Sequence, residues 1–194
     1  MHNSKLVEIS NLEIYLLVGF SASGKSTIAK HLSNYGFGVI ECGDIVRQFL
    51  IQNDWKKSTS EFHEYMKKTQ GNTYLFADIN SEIIRLATIG VKKIVILGIR
   101  TYELFELLIK TYNIKHSIFI ESEIQSRFQR YIKSQNNRIG ETVLNLSDFG
   151  EQDKLHCKWG LKKIKNKCNH IITNDNTINN FVKSFSIKFN VPYG

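Results

Sequence analysis

The stretch "GFSASGKS", Gly19 to Ser26, constrains this chain more than any other. It fits G-x-x-x-x-G-K-[ST] in full, follows the apolar run "IYLLV" and opens a helical pattern, the context in which such a loop wraps a phosphate chain. Glycines let the backbone turn tightly so that successive N–H groups point inward, and the new helix adds its positive N-terminal end. Gly19, Ser21, Ala22, Ser23, Gly24, Lys25, Ser26 and Thr27 are therefore the expected contacts to a nucleoside triphosphate. Lys25 would reach the outer phosphates and the Ser26 hydroxyl would ligate Mg²⁺.

The rest of the chain alternates in a way that suits this loop. Apolar runs begin at Ile14, Phe37, Lys93, His116 and His170, separated by helical patterns, which predicts an α/β domain with a mainly parallel sheet. Leu75, Ile79, Ile83 and Leu86 mark one helix, with Gly90 as its stop. Further helices are expected after Lys25, Thr101, Ser122 and Thr177, the last burying Phe181 and Phe185. At 194 residues, 42% of them hydrophobic, one domain over 1–194 is expected.

No run is long enough to cross a bilayer, and the first residues lack a signal-peptide core. Three cysteines without framework spacing favour a reduced, cytoplasmic setting, and neither membrane nor disulfide is expected. Lys and Arg number 26 against 18 Asp and Glu, leaving +8, which suits an anionic partner, nucleotide or nucleic acid. Oligomeric state is not encoded in any motif.

Other phosphate-loop classes are excluded by absent motifs. A switch GTPase needs D-x-x-G and N-K-x-D, but the third strand runs into "ILGIRT" and the last into "ITNDNT". "DFG" at Asp148 stands without an H-R-D loop, so it is no protein-kinase metal motif.

Past the second strand, "ECGDIVRQF" resembles the "GD-x-L-R" segment of adenylate kinases and other nucleoside monophosphate kinases. "ILGIRTYELFEL" is similar to their "DGFPRT" segment, and closer to the "DGIRS" version of dephospho-CoA-kinase-like relatives. "ESEIQSRFQRY" resembles the passage into an arginine-bearing lid, here about residues 127–150, and "HIITNDNTINNF" the closing segment beside which adenine sits. The resemblance covers Tyr15 to Phe185 and implies a five-stranded parallel sheet with helices on both faces. It implies that Arg47 and Arg100 grip the acceptor, that Arg127, Arg130 and Arg138 close over the donor, and that Asn174 lies near the base. ATP and Mg²⁺ are the implied cofactors, and a small nucleotide-like molecule the implied acceptor.

The chain departs from that family in two places. Leu97 stands where an acidic residue usually organises water around the metal, which leaves Asp44 as replacement or as general base for a hydroxyl acceptor. Gln152 and His156 stand where relatives carry an arginine and a glutamate. Three readings follow: a kinase of a nucleotide-like acceptor, a kinase of a hydroxyl on dephospho-CoA or a nucleoside within DNA or RNA, and a nucleotide- or nucleic-acid-binding module with little turnover.

"KLHCKWGLKKIKNKCNH" places Lys154, Lys158, Lys162 and Lys165 on one helical face and Cys157, Leu161, Ile164 and Cys168 on another, which predicts one amphipathic surface helix with both cysteines buried. On a continuous helix those cysteines lie about 16 Å apart along the axis. That separation argues against a zinc site with His156 and His170, whose ligands would each lie about 2.0–2.3 Å from the metal.

Overall fold

The computed structural model describes residues 11–134, 145–175 and 177–193. The five apolar runs form β1 (Glu13–Val18), β2 (Gly38–Glu41), β3 (Lys93–Leu97), β4 (Ile114–Glu121) and β5 (His170–Thr173). All neighbours pair in parallel, in the order β2-β3-β1-β4-β5. β1 therefore lies at the centre, flanked by β3 and β4, and its carboxyl end opens where the chain reverses direction across the sheet. That crevice is where open α/β sheets bind ligands.

The central strands are buried on both faces, which explains their unbroken Ile, Leu and Val content. On one face Leu16, Ile40 and Ile96 pack under α2 (Cys42–Gln52), α3 (Thr59–Gln70), α4 (Phe76–Thr88) and α5 (Tyr102–Thr111). On the other, Leu17, Val95, Leu97 and Ile118 pack under α1 (Lys25–Ser33) and α9 (Ile178–Phe189). Ile79, Ile83 and Leu86 are buried along α4 as their spacing predicts, and Phe181 and Phe185 along α9. Helix α6 (Ile124–Ser134) follows β4, and α7 (Leu146–Lys158) and α8 (Leu161–Lys167) precede β5.

One expectation is corrected. The basic stretch is not one helix, because it stops at Lys158 and restarts at Leu161, with Gly160 at φ 104° as the left-handed joint. A side chain there would also meet Tyr102, whose Cβ lies 2.7 Å from the position a Cβ would take. The two stripes thus belong to two short helices, with Leu161 and Ile164 buried and Cys157 and Cys168 only half-buried. The break also removes the distance argument against zinc. Among the described residues, however, no three His, Cys, Asp or Glu side chains are grouped to hold a metal. Helix α3 is not among the expected elements; a capping box between Ser58 and Glu61 starts it. No described helix is long and apolar enough to cross a membrane.

Candidate phosphate-binding and acceptor site

The loop leaves β1 at Gly19 and enters α1 through Gly24, which caps the helix at φ 106°. The first turn of α1 carries no acidic residue and no side-chain cap, so its N–H groups are left to an anion. A side chain at Gly24 would strike Asn174, whose Nδ2 lies 2.3 Å from the position of the added Cβ. Lys25 is nearly buried, and its Nζ donates to the carbonyls of Gly19 (2.9 Å) and Phe20 (2.6 Å) and to Ser23 Oγ (3.3 Å). Its three donors are thus satisfied inside the loop, on oxygens that phosphate oxygens can replace. Ser26 is exposed on the first turn of the helix and Thr27 is half-exposed. This donor set fits a triphosphate with Mg²⁺: an ammonium, helix N–H groups and one hydroxyl.

Asn174, Arg127 and Arg130 hold the loop from behind by its carbonyls. Buried Asn174 donates from Nδ2 to the Ser23 carbonyl at 2.8 Å, while its backbone N–H donates to Glu121 O at 2.8 Å. Arg130 donates to the carbonyls of Asn174 (2.7 Å) and Ala22 (3.4 Å) and to Ser122 Oγ (3.0 Å). Arg127 is only 4% exposed and forms a two-pronged pair with Asp153 (3.1 and 2.5 Å), also donating to the Ser122 and Ser21 carbonyls. The rings of Phe20 and Phe149 lie 5.0 and 5.3 Å from its guanidinium carbon. The planar fork of Arg127 is thereby committed to bracing. Much of the expected lid, with Arg138, lies outside the described residues.

Across the crevice, Arg100 follows β3 and touches the loop at Ser21 Oγ (3.4 Å). Its Nη1 also lies 2.9 and 2.6 Å from the two ring nitrogens of buried His156. Arg47 lies on α2, in an ion pair with Asp44 and 3.8 Å from Glu41. Asp44 does not emerge from a strand as expected. It lies in the first turn of α2 with its side chain 63% exposed. The two expected acceptor arginines are thus held by different partners.

Three residues that motif reading passed over belong to this site. Glu41 ends β2 in register with Leu97, so both side chains take the face of the sheet that carries α1. A carboxylate therefore stands one strand away from the family's usual position. Its last-in-strand place, directly before "CGD", was a usable signal. His63 on α3 bonds the Tyr74 hydroxyl, and its ring centroid lies 5.1 Å from that of Trp159. Trp159, in the break between the two helices, has its ring centroid 5.4 Å from that of His156 and donates its indole N–H to Glu64. Nothing in the local sequence around His63 announces it.

Residues 18–143 match the family model described as AAA domain, AAA_17. The chain belongs to this family. The match takes the AAA domain from the end of β1 through the loop, Arg100, Arg127 and Arg130. A relative is the UPF0200/UPF0201 protein of Archaeoglobus fulgidus, 22% identical over 180 residues, which make up 90% of this chain and 54% of that protein. The chain thus spans about half the length of the curated relative it matches.

Solved structures share the fold. TT1252 from Thermus thermophilus has a TM-score of 0.55 at 12% identity, covering 95% of this chain and 100% of that one. Shikimate kinase from Bacteroides thetaiotaomicron has 0.53 at 12%, covering 92% and 99%. Shikimate kinase from Acinetobacter baumannii, solved with shikimate, has 0.50 at 14%, covering 94% and 96%. The expected α/β fold with a five-stranded parallel sheet is the one found, and these structures share it.

Proposed function

We propose that this AAA domain is an ATP- and Mg²⁺-dependent phosphotransferase that passes the γ-phosphoryl group to an acceptor held beside Arg100. The observation that carries the reading is the pairing of two features. The loop holds Lys25 on its own carbonyls, and Arg100 projects from the neighbouring strand end to touch that loop at Ser21. Unlike Arg127 and Arg130, which brace the loop by its carbonyls, Arg100 reaches the loop at a side-chain hydroxyl from the neighbouring strand end, which supports transfer over binding alone.

In this reading the loop N–H groups and Lys25 hold the β- and γ-phosphates, and Ser26 holds Mg²⁺, which draws charge from the phosphate oxygens when bound. Arg100 lies between the loop and the acceptor and neutralises charge as the phosphoryl group moves. Catalysis is then positioning and charge stabilisation. Asn174, Arg127 and Arg130 contribute by fixing the loop rather than by closing over ATP. Asp44 and Glu41 are the carboxylates available to the metal's water shell, and Glu41 has the better placed face of the sheet.

Lys25→Ala tests this directly. Phosphoryl transfer from γ-labelled ATP should fall by about 10²-fold or more, the scale for removing a comparable charge stabiliser. The circular dichroism melt should be little changed. A folded variant with near-normal turnover would sink the proposal.

A further inference from the structure

The chain on either side of the crevice converges on Arg100. Directly after it, buried Thr101 donates its hydroxyl to the Asn72 carbonyl at 2.7 Å, and the Tyr102 N–H donates to the Trp159 carbonyl at 3.2 Å. The second bond ties the start of α5 to the break between α7 and α8, where Gly160 lets the chain lie against Tyr102. That docking brings the last turn of α7, with His156, up to the Arg100 side chain. Nη1 of Arg100 lies 2.9 Å from Nδ1 and 2.6 Å from Nε2 of His156, and 3.4 Å from Ser21 Oγ. One guanidinium nitrogen thus stands between the phosphate loop and the imidazole.

The imidazole is itself held. His156 is 6% exposed, its ring centroid lies 5.4 Å from that of Trp159, and the His63 ring lies 5.1 Å from the same indole. The Trp159 indole N–H is fixed on Glu64, and His63 bonds the Tyr74 hydroxyl. Burial, with Arg100 and Lys25 nearby, holds His156 well below its ordinary pKa. Burial, with Arg100 and Lys67, pushes His63 down to about 3. Near neutral pH both rings are uncharged. A neutral imidazole keeps a lone pair on one ring nitrogen. With both nitrogens near Nη1, either tautomer presents an acceptor to Arg100. A carboxylate in this place would also hold the guanidinium, but would set a negative charge beside the phosphates. The imidazole supplies the hydrogen bond alone.

We infer that His156 is a positioning residue for phosphoryl transfer, holding the Arg100 guanidinium at the loop by accepting its hydrogen bond. The inference rests on the phosphotransfer reading and names the residue that aims Arg100. Aim matters because a misplacement of about 1 Å can cost about 10²-fold in rate.

The test uses aluminium fluoride, which with Mg²⁺ and ADP stands in for the phosphoryl group in transit and requires no identified acceptor. Affinity for Mg²⁺ and ADP is measured with and without aluminium fluoride by displacement of a fluorescent analogue, and the ratio of the two affinities is the readout. Wild type should bind ADP more tightly with the fluoride present. His156→Leu and His156→Phe are both made, so that one misfolded protein does not end the test. Each should lower the ratio by about 10- to 100-fold, the scale of one hydrogen bond to a charged group, and leave the affinity for ADP alone unchanged. His156→Gln, whose amide oxygen can accept in place of the imidazole, should restore most of the ratio. In an Arg100→Met background His156→Leu should cost nothing further, because its effect passes through the guanidinium. A ratio that survives His156→Leu, a His156→Gln variant as impaired as His156→Leu, or additive losses in the double variant would each overturn the inference and leave the phosphotransfer reading standing. No tightening by aluminium fluoride in wild type, or full tightening in Arg100→Met, would instead bring down that reading and the inference with it.

Discussion

Asp153→Ala should be among the most damaging single changes away from the sheet, because it strips the partner from a buried cation. Arg127 is 4% exposed and Asp153's side chain 14%, and their two hydrogen bonds tie α6 to α7 beneath the loop. Removing one member of such a pair typically costs about 3–5 kcal/mol. Arg127 would keep the Ser122 and Ser21 carbonyls and the faces of Phe20 and Phe149, so part of the charge stays solvated by the protein. An expected loss of about 2–4 kcal/mol follows. For a domain of this size each kcal/mol moves Tm by roughly 2–4 °C. The assay is urea unfolding followed by circular dichroism on wild type, Asp153→Ala, Arg127→Met and the double variant. The double variant should be less destabilised than the sum of the singles, since it leaves no unpaired charge. ATP affinity should fall with Asp153→Ala, because Arg127 also holds the Ser21 carbonyl. A loss below about 0.5 kcal/mol, or additive singles, would show that solvent already compensates Arg127 and refute the reasoning.

Glu41→Gln should raise the Mg²⁺ concentration needed for tight binding of a fluorescent ATP analogue by about 10-fold, the scale of one charge-assisted hydrogen bond. Asp44→Asn should change it far less, since that carboxylate is exposed and paired with Arg47; the reverse ranking would return the metal role to Asp44. Acid sensitivity should include a contribution from His63, whose burial pushes its pKa down to about 3 from the ordinary 6.5. Between those values the unfolded chain binds the extra proton, so stability is fully present above pH 6.5 and is lost as pH falls toward 3. His63→Phe should flatten that part of the stability–pH curve measured by thermal melts, and an unchanged slope would mean that His63 titrates normally.

The phosphate loop was legible because its chemistry lies in eight consecutive residues, and the five strands because burial on both faces requires unbroken apolar runs. Helix α4 was legible too, since Leu75, Ile79, Ile83 and Leu86 keep one face over three turns. Helix α7 and its break were not, because the lysine and apolar stripes continue in register through Gly160. Only the packed structure shows Tyr102 against that glycine. The site divides in the same way. Lys25 and the loop around it are local, so sequence alone picked them out, while the Gly19 and Phe20 carbonyls that hold Lys25 came with the structure. Glu41 meets Leu97 through strand register, Arg100 meets His156 across 56 residues, and Arg127 meets Asp153 across 26. No local pattern encodes those meetings, because a side chain's partner in space depends on which strands pair and which helices cover them. The tertiary structure alone decided that Arg127 braces the loop, that Arg47 is held on α2, and that Arg100 faces two neutral histidines. Burial and neighbouring charge set the state of those histidines, and both exist only once the chain has folded.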